Sequence, residues 1–177
     1  MTNMSDYTIF SSSNRVDNKT KIFAELCRKA LENQGVKANV CSLQQLPDDL
    51  SSVAMYDFNN SPVAEIVEKY LLPVDKLIFI IPEYNGSFPG ILKLFIDAIH
   101  PENFKNKKAA LIGISSGRSG NIRGLDHLTN ILNYLKVDVY HHKIPISSID
   151  DIINEGLVTD KQCIDGINEL MENFKDY

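Results

Sequence analysis

The sequence predicts an α/β fold: a three-layer sandwich in which a five-stranded parallel sheet, ordered 2-1-3-4-5, is wrapped by helices on both faces. Three observations predict it. Segments of strand length alternate with helical apolar stripes five times along 177 residues, the pattern of a parallel sheet with helical crossovers. Two strand segments, KLIFII (76–81) and AALIGI (109–114), are apolar throughout, as strands covered on both faces must be. Two others, VKANVC (36–41) and VDVYH (137–141), alternate apolar with polar, which assigns the second and fifth strands to the edges.

Taken in order, YTIFS (7–11) is a short first strand. Ile22, Phe23, Leu26, Cys27, Ala30 and Leu31 recur at helical spacing, so a helix spans 19–33, and Gly35 stands where a helix ends. The second strand follows, then a polar stretch, 44–61, that reads as a surface loop. Ser61 and Pro62 form an N-cap and first-turn proline for a helix with Val63, Ile66, Val67, Tyr70 and Leu71 on one face. The third strand leads through PEYNGSFPG (82–90) into a helix over 89–100. The fourth leads through SSGRSGN (115–121) into a helix with Ile122, Leu125, Leu128, Leu132 and Leu135 in register. After the fifth strand, Thr159 and Gln162 fit a capping box for a last helix with the stripe Cys163, Ile167, Leu170, Met171 and Phe174.

The length is that of one domain, 1–177, with a full core. With 44% hydrophobic and 23% charged residues the composition is globular rather than disordered. A net charge of −5 leaves no basic face for a phosphate backbone, which argues against nucleic acid as partner. No apolar run reaches membrane-spanning length, and MTNMSDYTIF lacks a signal-peptide pattern. Cys27, Cys41 and Cys163 include no C-x-x-C pair and read as small buried hydrophobes in a reducing cytoplasm.

In a sheet of this order the ligand lies outside the carboxyl ends of the strands, near the switch between the first and third. Three loops leave those ends. SSSNRVDNKT (11–20) is dense in hydroxyls and amides, holds Arg15 and Lys19, and enters a helix N-terminus, a setting that favours phosphate. PEYNGSFPG offers the Tyr84 ring and the backbone of 82–86 to a flat heterocycle, and Ser116, Gly117 and Arg118 lie on the neighbouring loop. Phosphate at one end and a planar ring at the other is the outline of a mononucleotide. The chain has neither the G-x-x-x-x-G-K-[ST] of a P-loop nor the G-x-G-x-x-G of a dinucleotide fold.

PEYNGSFPGILKLFIDAI resembles the P-E-Y-N-x-x-x-P-G-x-L-K-N-x-x-D signature of the NADPH-dependent FMN reductase family of quinone, azo-dye and chromate reductases. SSSNRVDNKT is similar to that family's phosphate loop, and SSGRSGNIRGLDHL to its third loop, so the resemblance spans most of the chain. It implies a flavodoxin-like fold, with non-covalent FMN and NADPH or NADH as co-substrate. It also implies that Ser13, Arg15, Asn18, Lys19 and Thr20 surround the phosphate. Pro82, Glu83, Tyr84, Asn85 and Gly86 would line the isoalloxazine, with Ser116, Gly117 and Arg118 on its pyrimidine side. Ser12 stands where the family carries glycine, and Asn18-Lys19 where it carries Ser-x or Ser-Asn. Glu83 is open to two readings, a flavin contact or an ion pair with a partner subunit. The acceptor implied is a small molecule (a quinone, azo compound, free flavin or metal oxyanion), and the flavin rather than a side chain carries the chemistry.

Other readings compete. A non-catalytic electron carrier or flavin-binding module shares the fold. GISSG (113–117) matches the G-x-S-x-G nucleophile elbow of serine hydrolases, though Arg-Ser-Gly-Asn (118–121) intervenes before the helix and only Asp126 or Asp138 lies between Ser115 and His141 as acid. His141 and His142, adjacent on a strand, point to opposite faces and make no metal pair. His100 and His127 read as solvated or packing histidines. Finally, the helix 90–100 is apolar around nearly its whole circumference, interrupted only by Lys93 and Asp97. A helix covering a sheet needs one stripe, so a partner subunit is expected on its outer side, as a homodimer or a homotetramer.

Overall fold

The computed structural model describes residues 6–48, 50, 57 and 61–177. β1 (Tyr7–Ser11) lies between β2 (Ala38–Ser42) and β3 (Lys76–Pro82), and β4 (Lys108–Ile114) follows β3. The far edge is held by two short strands in line, β5 (Asp138–Val139) against the start of β4 and β6 (Ile144–Ile146) against its end. Every pairing in this sheet is parallel, and the order is 2-1-3-4-5.

The side-chain period of two divides the central strands between two cores. Phe10, Leu77, Phe79, Ile81, Ala109 and Leu111 face one layer of helices. That layer holds α2, which begins as Ala64–Ile66 and widens into a π turn over Val67–Leu71, with α3 (Gly90–Asp97) and α4 (Ile122–Tyr134). Phe10 stacks on Phe79 with ring centroids 5.0 Å apart and meets the tilted ring of Phe95 of α3 at 5.6 Å. Tyr7, Ile9, Ile78, Ile80, Ala110, Ile112 and Ile114 face the opposite layer, α1 (Thr20–Asn33) and α6 (Lys161–Asp176). Each large side chain so buried contributes about 1.5 to 3 kcal/mol, which is why the two apolar strands sit at the centre. Between β6 and α6 run a short helix, α5 (Ile149–Ile152), and a hairpin of β7 (Ile153–Asn154) and β8 (Leu157–Val158).

Several sequence expectations are corrected. The fifth strand is not continuous: after the Tyr140 N–H donates to the Ala109 carbonyl, the chain leaves the sheet through exposed His141 and His142 and rejoins it at Ile144. α3 stops at Asp97 rather than 100, because His100 precedes Pro101 and takes the extended conformation this imposes. Asp160 rather than Thr159 caps α6, accepting from the Cys163 N–H at 2.7 Å, while the Thr159 hydroxyl turns back to the Ile152 carbonyl. Ser61 accepts from the Val63 N–H and donates to the Ala98 carbonyl, so it ties the start of α2 to the end of α3. Ile122 is exposed at the first position of α4 rather than in the core. In the expected loop over 44–61, Leu46 and Leu50 are buried in the core, and positions 49, 51–56 and 58–60 lie outside the described residues.

The premise for a covering subunit also changes. Leu92, Phe95, Ile96, Ala98 and Ile99 are all buried within the single chain, and Ile91 and Leu94 are half-buried against the same core. The helix is short enough, and sits deep enough between α2 and α4, for the chain itself to cover most of its circumference. What stays open is a groove of about 410 Å³ between α3 and α4, lined by Ile96, Ile99, Ile131, Tyr134 and Leu135 with Lys93 and Asp97 at its side.

Candidate active site

The carboxyl ends of β1, β3 and β4 open into a cavity of about 290 Å³. Its walls come from all three expected loops: Ser13, Arg15, Asn18 and Lys19 from the first, Pro82, Glu83 and Tyr84 from the second, and Ser116 from the third. The remaining candidates stand apart from the lining. Thr20 is buried beneath the first loop, Asn85 and Gly86 form the tip of the second, and Gly117 and Arg118 lie on the outer part of the third.

The first loop is a lattice of its own side chains. The Ser11 and Thr20 hydroxyls hydrogen-bond at 2.6 Å, Thr20 donates to Asn18, and the Asn18 amide donates back to the Arg15 carbonyl. The Ser12 N–H donates to the Ile80 carbonyl, so the serine that replaces the family's glycine continues the β1–β3 ladder from a fully buried position. The loop therefore holds its shape while it delivers the α1 N-terminus, whose first N–H groups have no intrahelical acceptor, to the cavity. Arg15 pairs with Asp17 at 3.3 Å and also approaches the Tyr84 phenol, both of which hold its guanidinium above the ordinary arginine range. Lys19 pairs with Asp150.

The second loop owes its shape to Asn85-Gly86. Both residues have positive φ, 51° and 77°, and Tyr84 and Ser87 exchange backbone hydrogen bonds across them, a primed turn that asparagine and glycine favour. The turn fixes the Tyr84 backbone, and a 2.9 Å hydrogen bond between the Tyr84 hydroxyl and Ser13 fixes the ring against the first loop. His127 of α4 is exposed, as expected of a solvated histidine, and in addition hydrogen-bonds Ser87 at 2.9 Å and braces the turn from outside. Glu83 accepts from the Ser119 hydroxyl of its own chain, which binds the second loop to the third.

The third loop explains the G-x-S-x-G match. The Ser115 hydroxyl donates to the Gly117 carbonyl and accepts from the Gly120 N–H, each at 2.9 Å, so it knots the loop and is no nucleophile. The glycine that matters is Gly113, where a Cβ would lie 2.2 Å from the Gly120 carbonyl oxygen. Asn121, in the left-handed region at φ 61°, donates from its buried amide to the Ile81 carbonyl and pins the loop to the end of β3.

The sequence reading missed Asp17, Ile114, Ile149 and Asp150 as lining residues, and it named Ser115, which also lines the cavity, only in the hydrolase reading. Ile149 and Asp150 follow β6, the end of a fifth strand position that opens on the same side of the sheet. That rule was the signal that could have found them. α5 is fixed to the third loop by the Ser148 N–H to the Gly117 carbonyl and the Ile149 N–H to the Ser115 carbonyl. Hydrogen bonds from Lys19 and from Ser116 hold the Asp150 carboxyl below the usual range.

The donor set fits a flavin mononucleotide. At one end stand two cations, a serine hydroxyl and a helix N-terminus, which suit a phosphate. At the other, Pro82, Tyr84, Ile114 and Ile149 give apolar contact beside the peptide edges of the second and third loops, which suits a flat ring. FMN would be held by Ser13, Arg15 and Lys19 at the phosphate and by 82–84 and Ser116 along the ring.

The chain is similar to known proteins. Residues 7–150 match the NADPH-dependent FMN reductase family. An NAD(P)H-dependent FMN reductase of Pseudomonas aeruginosa is 31% identical over 134 residues, 70% of this chain and 72% of the relative. A 2-hydroxy-1,4-benzoquinone reductase of a Burkholderia species is 34% identical over 46% of this chain and 47% of its own length. An FMN-dependent NADPH-azoreductase of Staphylococcus aureus is 28% identical over 62% and 60%. Among solved structures, the NAD(P)H:acceptor oxidoreductase FerB of Paracoccus denitrificans superposes with a TM-score of 0.74 at 24% identity, covering 97% of this chain and 95% of that one. Flavodoxin 2 of Bacillus cereus superposes with a TM-score of 0.65 at 13% identity, covering 97% and 99%. A sequence that matches the family over residues 7–150, on a flavodoxin-like sheet with a cavity at its switch point, makes this chain a member of the NADPH-dependent FMN reductase family, an FMN-dependent NAD(P)H oxidoreductase.

Proposed function

We propose that residues 1–177 form one FMN-binding domain that passes reducing equivalents from NAD(P)H to a quinone, an azo compound, a free flavin or a similar small acceptor, the two substrates using one site in turn. The observation that carries this reading is the convergence of three loops on one cavity with a cationic end and a flat apolar end. When bound, FMN supplies hydride acceptance and donation at its ring. The chain's own residues bind and orient it. Ser13, Arg15, Lys19 and the α1 N-terminus hold the phosphate. Tyr84, kept in place by Ser13 and the 85–86 turn, is the rim of the ring site, and Ser116 borders its pyrimidine side. The names of the quinone and azo reductases above support acceptors of that class.

Reconstituted protein should oxidise NADPH steadily in the presence of a quinone, with parallel double-reciprocal lines as acceptor is varied. Intersecting lines would overturn the shared site. Arg15→Ala should weaken FMN retention about tenfold and leave riboflavin binding unchanged, since riboflavin lacks the phosphate.

The electron-carrier reading draws on the structural likeness to a flavodoxin. It would be favoured if FMN-loaded protein accepted electrons from a protein donor but failed to oxidise NAD(P)H. We further propose a dimer across the α3–α4 groove, where Tyr134 is 86% exposed beside half-buried Ile131 and Leu135. A monomeric mass by light scattering at micromolar concentration, with FMN bound, would refute it. Three free cysteines fit a reducing compartment, the cytoplasm. Among the described residues no helix is long and apolar enough to cross a membrane.

A further inference from the structure

The cavity's charges are not what a phosphate site alone would call for. Arg15 and Lys19 are the cations in its lining, against the three carboxylates Asp17, Glu83 and Asp150. The two cation pairs differ in kind. Both pairs are solvent-exposed and screened, with the Asp17 side chain 75% and the Asp150 side chain 50% exposed, but Asp17 lies two residues from Arg15 on the same loop, where local motion can open the pair. Asp150 is brought from the opposite wall, 131 residues along the chain from Lys19. It rides on a helix anchored by buried Ile149 and by two backbone hydrogen bonds to the third loop.

We infer that Asp150 is a built-in competitor of the flavin phosphate: it takes up Lys19, the cation that faces the cavity from the head of α1, and sets FMN affinity below what the remaining donors would give. The inference rests on the placement of the phosphate at the first loop. A phosphate arriving there must displace the carboxylate from Lys19 and then lie beside it, and both effects oppose binding of the phosphate end alone. Asp150 thereby governs the discrimination between FMN and riboflavin and the ease with which FMN leaves; Ser116, which also hydrogen-bonds its carboxylate, keeps an amide oxygen as acceptor in Asp150→Asn.

The test is equilibrium titration of apoprotein with FMN and, separately, with riboflavin, read by flavin fluorescence. Asp150→Asn should bind FMN about tenfold more tightly and riboflavin unchanged. Asp150→Ser removes the charge with a smaller side chain and should do the same, which guards against a misfolded single variant. FMN affinity that is unchanged or weaker in both Asp150 variants overturns the inference, as does equal tightening of riboflavin. If Lys19→Met and Arg15→Ala each leave FMN affinity unchanged, the phosphate placement itself fails, and the inference with it. If they weaken FMN while Asp150→Asn does not tighten it, only the competitor role fails.

Discussion

Thr8 sits on β1, fully buried, and its hydroxyl oxygen has no hydrogen-bond partner among the described residues. An unsatisfied buried hydroxyl costs about 1 to 3 kcal/mol, whereas an isosteric methyl costs nothing there. Thr8→Val should therefore stabilise the protein by about 1 kcal/mol, seen as a higher urea midpoint with unchanged slope. Tyr84 offers the opposite case, a hydroxyl that hydrogen-bonds Ser13 and lies against the Arg15 guanidinium. Tyr84→Phe keeps the ring but frees it from the first loop. FMN affinity should fall by a few-fold, and an unchanged value would mean that the turn at 85–86 alone positions the ring. At this scale the candidate site was half legible. Arg15, Lys19, Tyr84 and Ser116 announced themselves by loop position, but the hydrogen bonds that spend Ser115 and Thr20 on loop structure join atoms that only folding brings together.

Among elements, the third loop depends most on one absent side chain. Gly113 lies within β4, and a methyl group there would strike the Gly120 carbonyl, a backbone atom that cannot swing aside. Gly113→Ala should cost about 1 to 3 kcal/mol and displace Ser116 as well, so that FMN affinity falls with stability. Gly117→Ala, where the added carbon meets open space, should leave thermal stability nearly unchanged. The alternation of strands and helices was legible because burial on two faces demands apolar runs and burial on one demands a period of two. The ends were less so. The break in the fifth strand, the cap of α6 and the early end of α3 each follow from a local competition, between sheet and solvent, between Asp160 and Thr159, and between helix and Pro101. Burial of α3 within the chain was not legible, because nothing in a sequence says how deep between α2 and α4 a helix will sit.

For the whole molecule, alkaline pH is the informative perturbation. Burial pushes the Cys27 thiol well above its ordinary value, Cys41 to about 12 and Cys163 to about 11, while burial raises Tyr7 to about 12. A raised folded-state value means that the unfolded chain releases its proton first. The neutral form's contribution is complete below the unfolded value, near 9 for the thiols and 10 for tyrosine, and is lost as pH climbs through the folded value. Lys76 and Lys107, both lowered chiefly by desolvation, work the other way below 10.5. The four acids outnumber them, so urea midpoints should fall steadily from about pH 9 to 11. Cys27→Ala, less stable at pH 7 because it leaves a small cavity, should lose less across that interval than the wild type. The broken fifth strand has one more consequence at this scale. A long straight sheet edge offers a row of unpaired amides on which a neighbouring chain can polymerise. Here that row is cut into pieces of two and three residues, parted by His141, His142 and Lys143 and closed by Pro145, which has no N–H to give. A crowded solution of this protein meets no continuous template along that side, and the interruption acts as a safeguard against fibrous aggregation.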